Sequence, residues 1–411
     1  MSVSFAKRQR TAAVQNLSLF REASWSAAVL CRFLVLLLTL TALSVRGRPT
    51  NAPLSVVEIK QSMDRGIQWL VKNQNKDGSW GSANKTKDLN IFAPVPGAHH
   101  AFKAGVTAMS IEALIETDAA KQSDETRRAL ERGEEWLLNN IEHVRRADAV
   151  AIYNVWAHAY AIQALVAMHE RTSDPESKKR IKEVIATQVD RLQRYESVDG
   201  GWGYYDFDVG AQKPAAATTS FTTATGLYAL KQLEKIGMEA PTNLVGRAVK
   251  CLNRQRKPDF TYLYELGHKY RPMWDINRKG GSLGRSQACN IALRVWGEKA
   301  ITDDVVAECL DRLVERYEWL SIGRKRPVPH ESWFLIAGYF FYYGHYYAAL
   351  CADLLPPERS ANYRRDLARI IVPLQEKDGS WWDYPLYNYH QPWGTSFALM
   401  TLQRCLPPKG S

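Results

Sequence analysis

The sequence contains no Cys-x-x-Cys pair, no zinc-finger spacing and no dense cysteine framework. Its six cysteines, Cys31, Cys251, Cys289, Cys309, Cys351 and Cys405, stand far apart. That excludes a small disulfide-stapled scaffold and a cysteine-based zinc module. The five after Cys31 fall in apolar helical patterns, where a thiol behaves as a small hydrophobe. Buried thiols are the expectation, with one or two disulfides as the alternative. Gly (25) and Pro (18) are too few for a collagen-like or low-complexity chain. A 45% hydrophobic share against 24% charged excludes a chain disordered throughout, and 411 residues can bury a large core without staples.

The N-terminus lacks a hydrophobic run of full membrane length. Residues 1–32 carry Lys7, Arg8, Arg10, Arg21 and Arg32 against Glu22, and the uncharged run Phe33 to Val45 that follows has 13 residues. A bilayer span needs about 20, so this run fits the core of a signal peptide, with Ala42-Leu43-Ser44 supplying small residues for cleavage. A retained anchor beginning near Ser26, with Arg32 snorkelling to the interface, is the alternative. The chain then divides into 1–45, a signal peptide or membrane anchor, 46–54, a linker, and 55–408, the folded body. Both readings place the body outside the cytoplasm, periplasmic or secreted, or membrane-anchored. The leader holds +4 of the formal net charge of +11, leaving +7 on the rest. The clusters Arg324-Lys325-Arg326 and Lys178-Lys179-Arg180 lack interleaved aromatics, which argues against nucleic acid. They read as solvated faces, with attraction to a membrane surface as the alternative.

What the sequence does have is a repeat. Gln74-Asn75-Lys76-Asp77-Gly78-Ser79-Trp80 returns as Gln375-Glu376-Lys377-Asp378-Gly379-Ser380-Trp381, with the variant Glu196-Ser197-Val198-Asp199-Gly200-Gly201-Trp202 between them. The starts are 122 and 179 residues apart, two and three periods of about sixty. Degenerate copies fit at Trp136–Asn140, Leu252–Gln255 and Leu313–Arg316, giving six units. Each unit reads as helix, turn, helix. The first helix is amphipathic, as in Val57, Met63, Ile67, Leu70 and Val71. Ser55 with Glu58 and Ser173 with Glu176 read as capping boxes. Asp-Gly turns the chain. The second helices, Ala104–Leu114, Val155–Ala167, Phe221–Leu233, Ser286–Trp296, Trp333–Leu350 and Ser396–Leu402, are apolar on nearly all sides and are therefore expected to be buried. The segment Trp333–Ala352 has His345 as its one ionisable side chain besides tyrosine and cysteine. Its two glycines and five tyrosines favour an inner helix over a membrane span. The predicted fold is all-α, a single six-unit toroid with six outer helices around six inner ones.

The Gln-x-x-Asp-Gly-Ser-Trp segments followed by apolar helices resemble the QW repeat of squalene–hopene cyclases. More broadly, residues 55–408 resemble the terpenoid cyclase and protein prenyltransferase superfamily of α/α toroids. The resemblance implies that Gln74 and Gln375 tie a helix end to a neighbour. It also implies that Trp80, Trp202 and Trp381 wedge between helices as architecture. A site does not follow from the fold.

In such a barrel the loops before the inner helices converge at one end, where the inner-helix N-termini also point. Those loops carry Tyr204, Tyr205, Trp274, Trp333, Trp382, Tyr384, Tyr389 and Trp393 as ligand-facing candidates. Aromatic walls suit carbocations through cation–π contact, and they also stack on sugar rings. For catalysis, Asp206 or Asp208 is the candidate acid and His390 or Asp383 its partner. The class II cyclases protonate an alkene with the middle Asp of Asp-x-Asp-Asp-Thr-Ala. The comparable stretch here, Thr219-Ser220-Phe221-Thr222-Thr223-Ala224, keeps Thr-Ala but has Phe221 where the acid belongs. The zinc ligands of the prenyltransferases and the Asp-Asp-x-x-Asp magnesium motif are also missing, so no metal and no cofactor is expected. The expected ligand is an apolar, isoprenoid-type molecule. Two alternatives stay open. One is a polysaccharide lyase or glycosidase using mouth carboxylates such as Asp206, Asp208, Glu265, Glu331 and Asp383. The other is a non-catalytic scaffold whose cavity is plugged by Phe221, Phe340, Tyr342 and Trp393. The sequence leaves the oligomeric state open.

Overall fold

The structure is a computed structural model that describes residues 52–206, 213–214 and 218–407. The leader at 1–45, residues 46–51 of the linker, Asp208 and residue 408 lie outside the described residues. Twelve α-helices occur among the described residues, alternating between an outer and an inner layer. The outer helices are α1 (Val56–Lys72), α3 (Asp124–Asn140), α5 (Pro175–Arg194), α7 (Thr242–Gln255), α9 (Asp303–Ser321) and α11 (Pro357–Ile371). The inner helices are α2 (Gly97–Glu116), α4 (Asn154–Arg171), α6 (Ser220–Gln232), α8 (Leu283–Val295), α10 (Phe340–Asp353) and α12 (His390–Cys405). Each inner helix packs on the next, and α12 packs back on α2, so the ring is closed.

Burial follows the sequence pattern. Outer helices bury one stripe, as α1 does with Ile59, Met63, Ile67 and Leu70. Inner helices are enclosed on all sides, and every residue of α10 from Phe340 to Ala352 is buried. That helix is shorter than the sequence suggests. Trp333–Leu335 forms a separate helical turn, with Phe334 and Leu335 at φ of 58° and 53°, and α10 starts only at Phe340. No helix among the described residues is long and apolar enough to cross a membrane. Cys251, Cys289, Cys309, Cys351 and Cys405 are free thiols, all buried except the half-buried Cys405.

Ser55 and Glu58 form the expected capping box, the Ser55 amide donating to Glu58 Oε2 at 2.8 Å. At α5 the cap differs from expectation: Asp174, not Ser173, accepts the Ser177 amide at 2.8 Å. Pro175 at the first helical position fixes φ there, and an anionic cap meets the helix dipole better than a hydroxyl.

The repeat motifs are joints between units. The indole N–H groups of Trp80, Trp202 and Trp381 donate to the carbonyls of Leu70, Leu192 and Ile371 at 2.8, 2.8 and 3.0 Å. Their backbone amides donate to Thr107, Thr223 and Thr395, each at 3.0 Å. All three indoles are fully buried. The motif glycines Gly78, Gly200 and Gly379 have φ of +91°, +80° and +95°. A Cβ on them would meet the carbonyl oxygens of Arg132, Arg247 and Arg65 at 2.5, 2.7 and 2.7 Å. The same arginines hold the first residue of each motif. Arg132 donates to Gln74 and Arg65 to Gln375 (both at 2.5 Å), and Arg247 pairs with Glu196 through two bonds of 2.7 Å. Units one, three and six are thus each bonded to the outer helix of the next unit around the ring.

A further copy of the turn lies at Asp259-Phe260-Thr261-Tyr262. Asp259 Oδ1 accepts from Thr261 Oγ1 at 2.6 Å, as Asp77 Oδ1 does from Ser79 Oγ. Phe260 takes the positive φ (55°) that glycine has elsewhere, and buried Tyr262 replaces the tryptophan.

Candidate functional site

The inner ring encloses a cavity of about 340 Å³. Its walls come from the N-terminal halves of α2, α4, α10 and α12, from Phe221 near the start of α6, and from the loops that precede these helices. Tyr153, Trp156 and Tyr160 line it from one face of α4 or the residue before it, at helical spacing. Phe221 stands against Phe340 and Trp156, with ring centroids 4.9 and 5.8 Å away. Trp393 lies edge-on to Phe397 at 5.0 Å. Phe221, Phe340 and Trp393, read as plugs from the sequence, form walls and leave the cavity open, whereas Tyr342 is buried outside its lining.

Residues 82–92 cross the mouth as a strap. The Asn90 amide donates to the Pro327 carbonyl at 3.1 Å, Thr86 Oγ1 to Tyr387 O at 3.2 Å, and the Asn388 amide to Ser82 O at 3.3 Å. Asn90, Ile91 and Phe92 of the strap line the cavity, and Tyr153 Oη donates to the Phe92 carbonyl at 2.6 Å. The opposite end of the ring is filled. Tyr346, Tyr347 and Phe397 pack there, and Arg404 pairs with Glu116 (2.9 Å) and Asp353 (3.4 Å). Glu112 is buried in this lower region, and its carboxyl is pushed up to about 8 by burial and by the nearby Glu116 charge.

A hydrogen-bonded chain runs along one wall. Tyr204 Oη meets Tyr264 Oη, which lies 3.1 Å from Tyr339 Oη, and this in turn lies 3.1 Å from His330 Nε2. His330 Nδ1 is 2.8 Å from the Leu335 carbonyl. Tyr204, Tyr339 and His330 line the cavity, and Tyr264 stands behind them. Burial raises the Tyr204 phenol to about 12 and lowers the His330 imidazole below its ordinary value. The guanidinium of Arg285, fully buried with its Nη atoms on the carbonyls of Gly281, Tyr262 and Ile276, lies 5.5 Å from the Tyr264 ring and disfavours a second positive charge on His330.

The residues singled out from sequence divide clearly. Tyr204, Tyr205, Tyr384 and Trp393 line the cavity. Trp274 and Trp333 are on the surface, 42% and 62% exposed, Trp274 under Arg271 at 4.5 Å and Trp333 stacked on Phe334 at 5.0 Å. Trp382 stands edge-on to His390 at 5.0 Å with the Lys325 ammonium 4.6 Å over its ring. Tyr389 is buried and donates to the His99 carbonyl at 3.2 Å. Neither Asp206, Asp383 nor His390 is among the residues that line the cavity. Asp206 is buried and paired with Arg146 at 3.0 Å. Asp383 Oδ2 accepts the Tyr342 amide at 3.0 Å, which caps the first turn of α10, and burial pushes its carboxyl up to about 7. His390 opens α12 with Nδ1 bonded to the Tyr387 carbonyl, and burial lowers its imidazole to about 4.

The described lining contains no carboxylate, and no group of three His, Cys, Asp or Glu residues able to hold a metal ion occurs among the described residues. Sequence reasoning missed the strap, the α4 wall and Tyr339. The α4 wall was signalled by aromatics at positions 153, 156 and 160.

Residues 50–266 match the family model described as the squalene-hopene cyclase C-terminal domain. A squalene–hopene cyclase of Zymomonas mobilis is 21% identical over 250 residues, which cover 54% of this chain and 35% of the relative. The chain thus matches about a third of that relative's length. Among solved structures, the cellobiose 2-epimerase of Spirochaeta thermophila superposes with a TM-score of 0.55 at 12% identity, covering 84% of this chain and 97% of that one. An inactive variant of an α-1,6-mannanase of Salegentibacter, in complex with α-1,6-mannotriose, does so with a TM-score of 0.54 at 11% identity, covering 84% and 98%. Likeness at these identities is one of fold, the α/α toroid.

Proposed function

From a chain that belongs to the squalene-hopene cyclase C-terminal domain family, we propose a protein that holds an apolar, isoprenoid-type ligand in its aromatic cavity. The observation that carries this reading is the wall itself: aromatic rings around about 340 Å³, with no carboxylate among the described lining residues. Each Å² of apolar ligand surface removed from water contributes about 25 cal/mol. Aromatic faces add attraction for a cationic or polarised carbon skeleton.

The same wall argues for holding over cyclising. Protonation of an alkene needs a strong, desolvated acid at the cavity surface. Phe221 occupies the cavity wall at the position where the cyclase motif has its acid. A saccharide-cleaving site would need paired carboxylates across the scissile bond. The mannanase and epimerase likenesses are of fold and supply no residues. The sequence of residues 1–45 is the ground for placing this function outside the cytoplasm, on an exported or membrane-tethered protein. Exposed Tyr270, Met273, Trp274 and Trp333 offer apolar contact with a lipid surface from which such a ligand would be drawn.

The test is titration of the full-length protein with squalene and with a C15 isoprenoid, read by native mass spectrometry and by quenching of Trp156 and Trp393. One ligand per chain is expected. Ala101→Phe, which puts a ring into the lining, should abolish binding and leave the helical circular dichroism unchanged. Absence of isoprenoid binding together with capture of an oligosaccharide would overturn the reading.

A further inference from the structure

The tyrosine chain fixes the direction in which its protons point. The Leu335 carbonyl can only accept, so His330 Nδ1, 2.8 Å away, must carry the hydrogen. In the neutral imidazole Nε2 is then an acceptor, and burial together with the Arg285 charge keeps His330 neutral near pH 7. Tyr339 must donate to Nε2, 3.1 Å away. With its proton so used, Tyr339 accepts from Tyr264, which in turn accepts from Tyr204. Tyr264 and Tyr339 each donate once and accept once. Tyr204, at the end, has given its proton and keeps an oxygen lone pair.

We propose that Tyr204 is a polar recognition point of the cavity, accepting a hydrogen bond from a ligand with an apolar body and a hydroxyl group, so that the preferred ligand is an isoprenoid-type alcohol; the Tyr160 and Tyr384 hydroxyls, which also line the cavity and have no protein partner, can meet an alcohol and an ether alike. This deepens the ligand-binding reading above and rests on it. A hydrocarbon would leave the free lone pair of Tyr204 desolvated and without a donor. An ether, ketone, carboxylate or phosphate ester would set lone pairs against it. Sites built to bond a substrate hydroxyl reject analogues lacking the donor, because their own polar group is then left without a partner. A neutral hydrogen bond of this kind corresponds to roughly threefold to tenfold in affinity.

The experiment compares three C15 probes of nearly equal bulk on the full-length protein: farnesol, its methyl ether and the hydrocarbon farnesene. Binding is read by tryptophan quenching and by native mass spectrometry at pH 7.5. Farnesol should bind up to about tenfold more tightly than the ether. Tyr204→Phe should remove the lead of farnesol over its methyl ether. Tyr339→Phe gives a sharper readout. It removes the acceptor of the Tyr264 proton, so Tyr264 turns to donate to Tyr204, and Tyr204 then donates into the cavity. The ether should now bind more tightly than farnesene, and the alcohol should lose its lead.

Equal binding of all three probes by the unsubstituted protein would overturn the role of Tyr204 and leave the apolar cavity standing. So would an alcohol preference that survives both substitutions. Failure of all three probes to bind would overturn the cavity reading and this inference with it. If Tyr204→Phe fails to fold, the reversal in Tyr339→Phe decides the matter alone.

Discussion

Gln375 and Ser62, 313 residues apart, exchange two hydrogen bonds: Gln375 Nε2 donates to the Ser62 carbonyl at 2.8 Å, and Ser62 Oγ donates to Gln375 Oε1 at 2.9 Å. The last repeat is thereby bonded to the first, and the ring closes through side chains as well as through packing of α12 on α2. Gln74 makes the corresponding bond one unit on, to the Ala129 carbonyl at 2.7 Å. Gln375→Ala should cost about 1–2 kcal/mol, since it leaves the buried Ser62 hydroxyl without its acceptor and removes the bond to the Ser62 carbonyl. Gln375→Glu should cost less, because Glu196 shows that a carboxylate can hold the equivalent arginine. Urea midpoints of the two variants against the parent check both the sign and the order.

Gly66 on α1 faces Trp381 so closely that a Cβ would lie 2.6 Å from its ring, and Gly133 faces Trp80 at 2.7 Å. Alanine is the better helix former by about 1 kcal/mol. The clash should outweigh that gain, making Gly66→Ala destabilising by about 1–3 kcal/mol. Trp381→Phe in the same chain should make the glycine substitution cheaper. A double-mutant cycle in urea measures that coupling, and additivity would refute the contact as the cause.

These joints mark how far the sequence could be read. The Gln and Trp of the repeat stand out because they recur at matched positions, and period plus apolar helices lead to the ring. The arginines that grip the motif were not legible. Arg65-Gly66 and Arg132-Gly133 look like ordinary surface positions until the next unit's turn is laid on them. The period places a degenerate copy at Leu252–Gln255, but the turn that follows it at Asp259–Tyr262 is masked in the sequence, because Phe260 and Tyr262 replace the glycine and tryptophan while the Asp-to-hydroxyl bond persists. In the site, dense aromatic loops pointed to Tyr204, Tyr205, Tyr384 and Trp393. Loop position alone could not distinguish Trp274 and Trp333, which face solvent, from residues facing the cavity. Nor could it show that Asp383 spends its carboxylate on the N-terminus of α10.

The buried carboxyls set a pH dependence of stability. Glu112 has an ordinary value of 4.5 and stands at about 8 in the fold, and Asp383 moves from 3.8 to about 7. Between those values the unfolded chain releases a proton that the folded one keeps. Stability therefore falls as pH rises from about 4 to 8 on account of these two groups, by a few kcal/mol in all. On the acid side His158 and His345, both lowered from 6.5 to about 4 by burial, act in the opposite sense, and stability is lost as pH falls through that window. Glu112→Gln should flatten the alkaline limb and raise the melting temperature at pH 8 more than at pH 5. Equal shifts at the two pH values would show that Glu112 is not held protonated.

Phe221 decides the size of the cavity. Its ring meets Phe340 at 4.9 Å, Tyr264 at 5.2 Å and Trp156 at 5.8 Å, and one side already borders empty space. Phe→Ala in a close-packed core costs about 3–5 kcal/mol. Part of the Phe221 surface gives up no packing, so Phe221→Ala should fall at the lower end of that range. The space released joins the cavity and should favour longer skeletons. The ratio of squalene to C15 affinity, read by competition in native mass spectrometry, should rise in the variant. The loss in stability should shrink when squalene is present, because a ligand that binds only the folded chain stabilises it in proportion to its occupancy. A variant that loses stability without any change in that ratio would place the ligand elsewhere on the protein, away from Phe221.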